Sequence, residues 1–245
     1  NIHVFNGSDA YLGISGKTDQ DGVVRFRLPE GTYRFRGDYL GSRYWSTEMV
    51  APHQVNVIHM ETGGGTFRLT VEKEPGSPLA DVPVYVFHQS GKYLGVKSRT
   101  DDQGRVFFDL SDGDYAFRVD YLGYRFWTDV FTVPNSLSDT LTIPHRDVTV
   151  TVKAVDGQYE TSLVETRAYL FTSGWAYMGV QGETNEFGQV TFNLPEKDYK
   201  VRADYLTQQF WSDIFNWTDE TVTIDEGMAE VAVTNMGLPL EGIDV

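Results

Sequence analysis

The sequence contains one pattern three times, and this repetition constrains the fold more than any other feature. The tryptophans Trp45, Trp127 and Trp211 mark the same position in each repeat and are 82 and 84 residues apart. Internal repeats indicate a chain built from copies of one structural unit. The repeated segments are YLGISGKTDQDGVVRFRLPEGTYRFRGDYLGSRYWS (residues 11–46), YLGVKSRTDDQGRVFFDLSDGDYAFRVDYLGYRFWT (93–128) and YMGVQGETNEFGQVTFNLPEKDYKVRADYLTQQFWS (177–212).

Side chains alternate between two kinds along each repeat, which indicates β-strands. In YAFRVDY one strand face would hold Tyr115, Phe117 and Val119, and the other face would hold Arg118 and Asp120. Polar turns that end in glycine separate the strands, and short strands with frequent turns are typical of a sandwich. No stretch has the period of a helix. The sequence therefore predicts an all-β chain of three tandem Ig-like or prealbumin-like β-sandwich repeats of about 82 residues.

The two ends of the chain are out of phase with the repeats. Repeat 2 begins with a strand, TFRLTV, before its PVYVF strand, whereas repeat 1 begins directly at NIHVF. The missing strand has a match at the other end, in EVAVTNMGLPLEGIDV. We therefore predict repeat 1 at residues 1–62 without its first strand, repeat 2 at 66–145, repeat 3 at 147–226, and the first strand and loop of a next repeat at 228–245.

Two interpretations account for this phase. In one, the chain is a window from a longer array that continues into another repeat. In the other, the terminal strand of one chain completes the open sandwich of the next by strand addition. In both, the strand missing from repeat 1 predicts an exposed sheet edge or cleft that another segment covers.

A turn and two strands of each repeat resemble a known group of domains. The stretch TDQDGVVRFRLPEGTYRFR carries a Thr-Asp-x-x-Gly turn, a strand ending in Phe, and a Leu-Pro-x-Gly-x-Tyr turn. It resembles the carboxypeptidase-regulatory-like or Cna-B-like group, which has a prealbumin-type β-sandwich. The resemblance implies a domain that is usually non-enzymatic and occurs in tandem stalks of large prokaryotic surface proteins and adhesins.

Composition excludes several classes of function. The chain has no cysteine, so it has no disulfide, thiolate metal site or cysteine nucleophile. Its formal charge of -15 argues against nucleic acid and anionic membrane surfaces as partners. No run of 18 apolar residues is present, which predicts no membrane insertion in this segment. The five histidines do not recur at one position, so we predict no catalytic residues and no enzyme.

The acidic turns are the best candidates for a metal site. Asp19 and Asp21 in repeat 1, and Asp101 and Asp102 in repeat 2, place carboxylates beside a glycine. Calcium prefers six to eight oxygen ligands, and these turns lack the full spacing of a calcium loop. We therefore predict solvated turns and no cofactor, and calcium is the alternative.

Two further recurring features are candidates for assembly or interaction. One is an Arg-x-Asp pair on a strand, which we expect to contact a neighbouring repeat or chain. The other is a Tyr-Trp or Phe-Trp pair, whose two rings point to opposite faces of a strand. Packing in the core or between repeats, glycan binding and lateral assembly are all open for these rings. The candidates are Arg36, Asp38, Trp45, Arg118, Asp120, Trp127, Arg202, Asp204 and Trp211.

Together these features predict a non-enzymatic structural repeat segment of an extracellular or cell-surface protein, stalk or filament. Its partners would be further copies of itself, assembled head to tail, either covalently in a longer chain or by strand donation. The alternative is an adhesin-type binding module that recognises glycan or protein through the recurring aromatic positions.

Overall fold

The computed structural model describes residues 1–52 and 57–242. It divides into two compact units, Asn1–Ile143 and Pro144–Val245. All regular secondary structure in the described residues is β-strand, and no helix occurs among them, so the prediction of an all-β chain is confirmed. The predicted segments 1–62 and 228–245 include residues 53–56 and 243–245, which lie outside the described part. The predicted domain boundaries stay predictions.

The first 52 residues form one five-stranded sheet, which we call the first sheet. Its strand order is β2-β1-β3-β4, with β5 pairing to β3. Val4, Tyr33 and Phe35 are buried on one face of it, as the alternation of side chains requires. The strands are β1 (Ile2–Asn6), β2 (Tyr11–Gly16), β3 (Gly31–Tyr39), β4 (Ser42–Trp45) and β5 (Met49–Ala51).

The next segment of the first unit forms two sheets, which we call the second sandwich. One sheet has the order β11-β10-β7-β8 with β12 paired to β10, and the other has the order β13-β6-β9. Inward side chains of both sheets, such as Phe67 and Phe117, share one buried cluster. The strands are β6 (Gly65–Glu72), β7 (Pro83–His88), β8 (Tyr93–Arg99), β9 (Arg105–Leu110), β10 (Gly113–Tyr121), β11 (Tyr124–Trp127), β12 (Phe131–Val133) and β13 (Ser138–Thr142).

Strand β6 is the centre of the smaller sheet of the second sandwich. It pairs antiparallel with β9 and parallel with β13, which do not pair with each other. Its alternate residues Phe67, Leu69 and Val71 are fully buried. Because both neighbours bond only to β6 within this sheet, the sheet depends on that one strand.

The second unit repeats this arrangement, and we call it the third sandwich. One sheet has the order β15-β14-β18 with β22 paired to β14, and the other has β17-β16-β19-β20 with β21 paired to β19. Strand β14 is again central, antiparallel to β18 and parallel to β22. The strands are β14 (His145–Asp156), β15 (Tyr159–Ser162), β16 (Arg167–Thr172), β17 (Tyr177–Glu183), β18 (Gln189–Pro195), β19 (Asp198–Tyr205), β20 (Gln208–Trp211), β21 (Phe215–Asn216) and β22 (Glu220–Asp225).

Up to residue 242, the end of the second unit contains one small hairpin, β23 (Thr234–Asn235) and β24 (Leu238–Pro239). Residues 229–233 precede it and form no strand, and Val231 is 72% exposed. No helix that could span a membrane was found in the described part of the chain.

Candidate interaction surface

The Arg-x-Asp and Trp candidates lie together on the outer face of the larger sheets. In the second sandwich, strand pairing places Arg118 opposite Tyr85 on β7 and opposite Trp127 on β11. The Arg118 guanidinium lies 4.4 Å from the ring centroid of Tyr85 and 5.3 Å from that of Phe87. Such cation–π contacts contribute about 0.5–1 kcal/mol each at exposed sites. We call Tyr85, Phe87, Arg118, Asp120 and Trp127 the ladder of the second sandwich.

The positive charge of Arg118 is balanced by Asp120, which lies two residues further along the same strand. Arg118 Nε lies 2.8 Å from Asp120 Oδ1, and Arg118 Nη2 donates a hydrogen bond to Asp120 Oδ2 at 3.1 Å. Residues two apart on a strand share a face, which explains the pairing. The expected contact of this pair with a neighbouring repeat or chain stays a prediction, because the described partners of both groups lie within their own sheet.

The third sandwich repeats the ladder with the same geometry. Arg202 lies 4.4 Å from the ring centroid of Tyr169 and 5.6 Å from that of Phe171. It forms an ion pair of 2.8 Å with Asp204. Trp211 lies opposite Arg202 on the neighbouring strand, as Trp127 lies opposite Arg118.

The first sheet contains the same ladder with one substitution. Arg36 pairs with Asp38 at 2.8 Å and lies 5.3 Å from the ring centroid of Phe5. Trp45 is opposite Arg36 across the strands. His3 stands where the sandwiches have a tyrosine, and its Nε2 lies 3.4 Å from Asp38 Oδ2.

The tryptophans pack on a phenylalanine of the ladder, and two of them are partly exposed. The ring centroids of Trp45 and Phe5, and of Trp127 and Phe87, are 4.7 Å apart. Trp45 is 42% exposed and Trp127 is 47% exposed. The ladders of the first sheet and the second sandwich therefore present a partly exposed apolar ring next to hydrogen-bonding groups, which suits stacking against another surface.

Several residues of this surface were not among the sequence candidates. Phe87 and its equivalents are the rings on which the tryptophans pack, and a tyrosine such as Tyr93 packs on the other side at 5.3 Å. Their recurrence at fixed spacing was the signal that could have identified them. Trp175 of the third sandwich has no equivalent in the other repeats. It lies 4.8 Å from Trp211 and carries Lys200 over its ring at 4.2 Å.

A second surface joins the first sheet to the second sandwich. The hairpin between β3 and β4 turns at Leu40 and Gly41, both with positive φ, as a two-residue turn of this type requires. Leu40 packs against the buried cluster of the second sandwich. The Ser42 hydroxyl donates to the carbonyl oxygen of Asp112 at 3.4 Å. We call this contact the joint.

The connecting segment fits closely at the joint. Gly64 has a φ of +101°, and a Cβ added to it would lie 1.9 Å from the Leu110 carbonyl oxygen. Only glycine satisfies both conditions. Burial raises the pKa of Tyr115, which lies beside the joint. The joint is therefore a packed contact, and Gly64 of the connecting segment fits closely against Leu110.

The acidic turns use their oxygens in hydrogen bonds to the backbone. Asp101 Oδ1 accepts from the amides of Gln103 and Arg105, both at 2.9 Å. These bonds, led by the Arg105 amide, lower the pKa of Asp101. Asn185 makes the same two bonds in repeat 3 without a charge. Closing the turn accounts for this recurring residue. Calcium stays an alternative, and the described residues contain no group of three or more His, Asp or Glu side chains arranged to hold a metal.

Comparisons with known proteins give only distant likenesses. No protein-family model matches the chain, and no curated protein sequence matches it. Among solved structures, the Bacillus anthracis TIE protein has 17% identity and a TM-score of 0.35. The match covers 92% of this chain and 46% of that protein, so the chain spans less than half of its length.

Two pilins also have a distant structural similarity to this chain. The minor pilin GBS52 of Streptococcus agalactiae has 14% identity and a TM-score of 0.40, over 69% of this chain and all of that one. The shaft pilin spaA of Lactobacillus rhamnosus GG has 10% identity and a TM-score of 0.32, over 68% of this chain and all of that one. These likenesses are too distant to support a statement about function. The described residues form an all-β fold in which paired sheets enclose apolar cores and the outer faces carry recurring ladders.

Proposed function

We propose that the chain is a non-enzymatic structural segment of an extracellular surface protein, stalk or filament. It would consist of copies of one β-sandwich module that pack head to tail. The joint is the observation that carries this proposal, because it is a packed contact made by residues at the tip of a hairpin. The same tip recurs as Tyr-Leu in repeats 2 and 3.

The internal polar contacts support a module copied for its structure. The hydroxyl of Tyr33 donates to the Pro29 carbonyl at 2.9 Å, and that of Tyr199 donates to the Pro195 carbonyl at 2.6 Å. Tyr115 makes the equivalent bond to Ser111 at 3.0 Å. The recurring polar groups are thus engaged in holding turns and strands, which is the use that a structural module makes of them.

The location outside the cell is supported by the resemblance of the Thr-Asp-x-x-Gly segments to tandem domains of surface proteins. Immunogold labelling of intact cells with antibodies against the 245-residue chain would test it. We expect label on surface structures, and release of the antigen when intact cells are treated with protease. Label that appears only after permeabilisation would contradict the proposal.

A second candidate function is an adhesin-type module that binds glycan or protein. The open faces of Trp45 and Trp127 favour it, because flat exposed rings beside polar groups suit a stacked ligand. Glycan-array binding by the wild-type chain that is lost in Trp127→Ala would support this function. Phe107→Ala is a suitable control, since Phe107 is 52% exposed and lies on the other sheet. No binding to any glycan would favour the structural role.

A further inference from the structure

One position of the ladder face differs between the three repeats, while the rest of the ladder is nearly constant. Strand pairing places Arg34, Ala116 and Lys200 opposite the phenylalanine of their own ladder. The three residues therefore hold the same place in their sheets, and we call this place the ladder corner. It carries a cation in the first sheet and in the third sandwich, but an alanine in the second sandwich.

In the first sheet, the cation of the ladder corner covers the tryptophan. The Arg34 guanidinium lies 5.1 Å from the ring centroid of Trp45. Its Nη1 donates to both carboxylate oxygens of Asp9, at 2.9 and 3.2 Å. A cation over an indole face is attracted by the electron-rich face of the ring. The ring, the guanidinium and the carboxylate therefore form one connected group.

In the third sandwich, the ladder corner is also covered by side chains of the same repeat. Trp175 lies 4.8 Å from Trp211, and the Lys200 ammonium lies 4.2 Å from the ring centroid of Trp175. Trp175 has a φ of +68°, which is unfavourable for a bulky residue. The equivalent residue of the second sandwich is Gly91, which has a φ of +80°. The contacts of Trp175 with Trp211 and Lys200 offset its unfavourable backbone conformation.

The second sandwich leaves the same corner open. Ala116 and Gly91 replace the long side chains that cover the tryptophan in the other two repeats. Among the described residues, no guanidinium or ammonium group stacks on Trp127 as Arg34 stacks on Trp45. Trp127 is accordingly more exposed than Trp45, at 47% against 42%.

A carboxylate lies beside the open corner. Asp114 is two residues before Ala116 on β10, so both side chains project from the ladder face. The Thr132 hydroxyl, on the paired strand β12, donates to Asp114 Oδ1 at 2.6 Å. Arg118 and Asp120 are also two residues apart on β10, and they form an ion pair at 2.8 Å. A cation above Ala116 therefore reaches the Asp114 carboxylate over the same spacing.

We propose that Trp127, Ala116 and Asp114 form a binding site for an arginine side chain that another protein presents. The guanidinium stacks on the indole, as Arg34 does on Trp45, and its N–H groups donate to the Asp114 carboxylate. Charge complementarity supports this ligand, because a chain with a formal charge of -15 attracts cationic partners. The inference goes beyond the structural role and gives the second candidate function a ligand of defined chemistry.

Titration of the full isotope-labelled chain with the peptide acetyl-Gly-Arg-Gly-amide tests the site. Each of the five tryptophans gives one indole N–H signal in a two-dimensional NMR spectrum. We expect the Trp127 signal to shift and saturate with a dissociation constant on the order of millimolar, since one stacked cation and one ion pair stabilise a complex only weakly. The Trp45 and Trp175 signals should stay in place, because those rings already carry a cation.

A second peptide and three variants serve as controls. Acetyl-Gly-citrulline-Gly-amide has the same shape without the charge and should cause no saturable shift. Ala116→Arg fills the corner from within the chain, as Arg34 does in the first sheet, and should abolish peptide binding. Phe107→Arg adds the same charge on the other sheet, where Phe107 is 52% exposed, and should bind the peptide like the wild type. Asp114→Asn should weaken binding about twofold to fivefold. It also keeps the proposal testable if Ala116→Arg fails to fold, because asparagine retains an acceptor for the Thr132 hydroxyl.

Four outcomes overturn the inference. They are a Trp127 signal that does not shift with the arginine peptide, an equal shift with the citrulline peptide, wild-type binding by Ala116→Arg, and wild-type binding by Asp114→Asn. None of these contradicts a structural role at the cell surface, which surface labelling tests separately. Conversely, peptide binding at Trp127 without surface label would contradict the proposed location and leave the arginine site intact.

Discussion

The first sheet and the second sandwich have closely similar sequences from Tyr11 and Tyr93 onward, yet only the second forms two sheets. The difference is β6, which has no counterpart among the described residues of the first sheet. In the second sandwich β9 and β13 bond to β6 and not to each other within their sheet. Removing a central strand therefore removes a whole sheet, whereas removing an edge strand would leave the others paired. The loss of a central strand therefore disrupts more hydrogen bonding between strands than the loss of an edge strand.

The presence or absence of β6 and the segment after it also changes the burial of individual side chains. Thr100 is buried, its hydroxyl donates to the Leu79 carbonyl at 2.6 Å, and its oxygen accepts from the Val82 amide at 3.0 Å. Both partners belong to the segment between β6 and β7. Thr18, at the same place in repeat 1, is exposed. The same sequence position thus holds a buried, hydrogen-bonded side chain in the second sandwich and an exposed side chain beside the first sheet.

The largest expected effect comes from converting the second sandwich into the state of the first sheet. Leu69→Asp places an unpaired charge at the fully buried centre of β6. We expect destabilisation by more than about 4 kcal/mol, because that charge has no partner in an apolar core. Hydrogen exchange at residues 105–110 and 138–142 should then become fast, as we expect for residues 23–28, which form no strand.

Arg68→Asp is the control for this change. Arg68 is the neighbour of Leu69 on β6, but its side chain is exposed. We expect a change within about 0.5 kcal/mol. Equal exchange rates in Leu69→Asp and Arg68→Asp would show that β6 does not hold the sheet together.

A smaller difference in the free energy of unfolding is expected between substitutions of Thr100 and Thr18. Thr100→Val keeps the shape of the side chain but leaves the Leu79 carbonyl and the Val82 amide without their buried partner. We expect a loss of about 1–3 kcal/mol in the free energy of unfolding. Thr18→Val should change it by less than about 0.5 kcal/mol. Urea unfolding monitored by tryptophan fluorescence measures both, and similar values would contradict the comparison.

The strand period of the fold was predictable, because alternation places Tyr115, Phe117 and Val119 on one face and all three are buried. The match of NIHVF to PVYVF was readable from the sequence. That residues 23–28 form no strand was not, since this depends on which strand is central in a sheet, and strand order follows from packing of distant segments. Only part of the ladder was predicted from the sequence. Recurrence identified Arg118 and Trp127, but the ring beneath them, Phe87, becomes part of the site only through cross-strand pairing.

The joint should contribute less than the central strand. Leu40→Asp removes an apolar side chain that is partly buried against the second sandwich, and we expect a loss of about 1–2 kcal/mol. Leu206→Asp is a closely matched control, because both leucines have a φ near +45°, at 46° and 45°, and Leu206 is 74% exposed. Aspartate tolerates this backbone conformation, so neither variant adds strain. Thermal unfolding at dilute concentration should separate them, and equal melting temperatures would mean that the joint contributes nothing measurable.

The smallest effect concerns the turn at Asp101 and its counterpart Asn185. Asp101→Asn keeps both hydrogen bonds to the backbone and should lose only the small contribution of the charge at neutral pH, whereas Asp101→Ala loses the bonds as well and should be less stable. The amides lower the pKa of the folded carboxyl, so its charge contributes stability above the unfolded pKa of about 3.9. That contribution disappears as pH falls through the lowered pKa of the folded state.

Unfolding measured at pH 7, 5 and 3 should therefore show that the wild type loses its greater stability relative to Asp101→Asn only at the most acidic pH. An advantage that is constant across these conditions would mean that the turn uses the shape of the side chain and not its charge, as Asn185 already does in repeat 3.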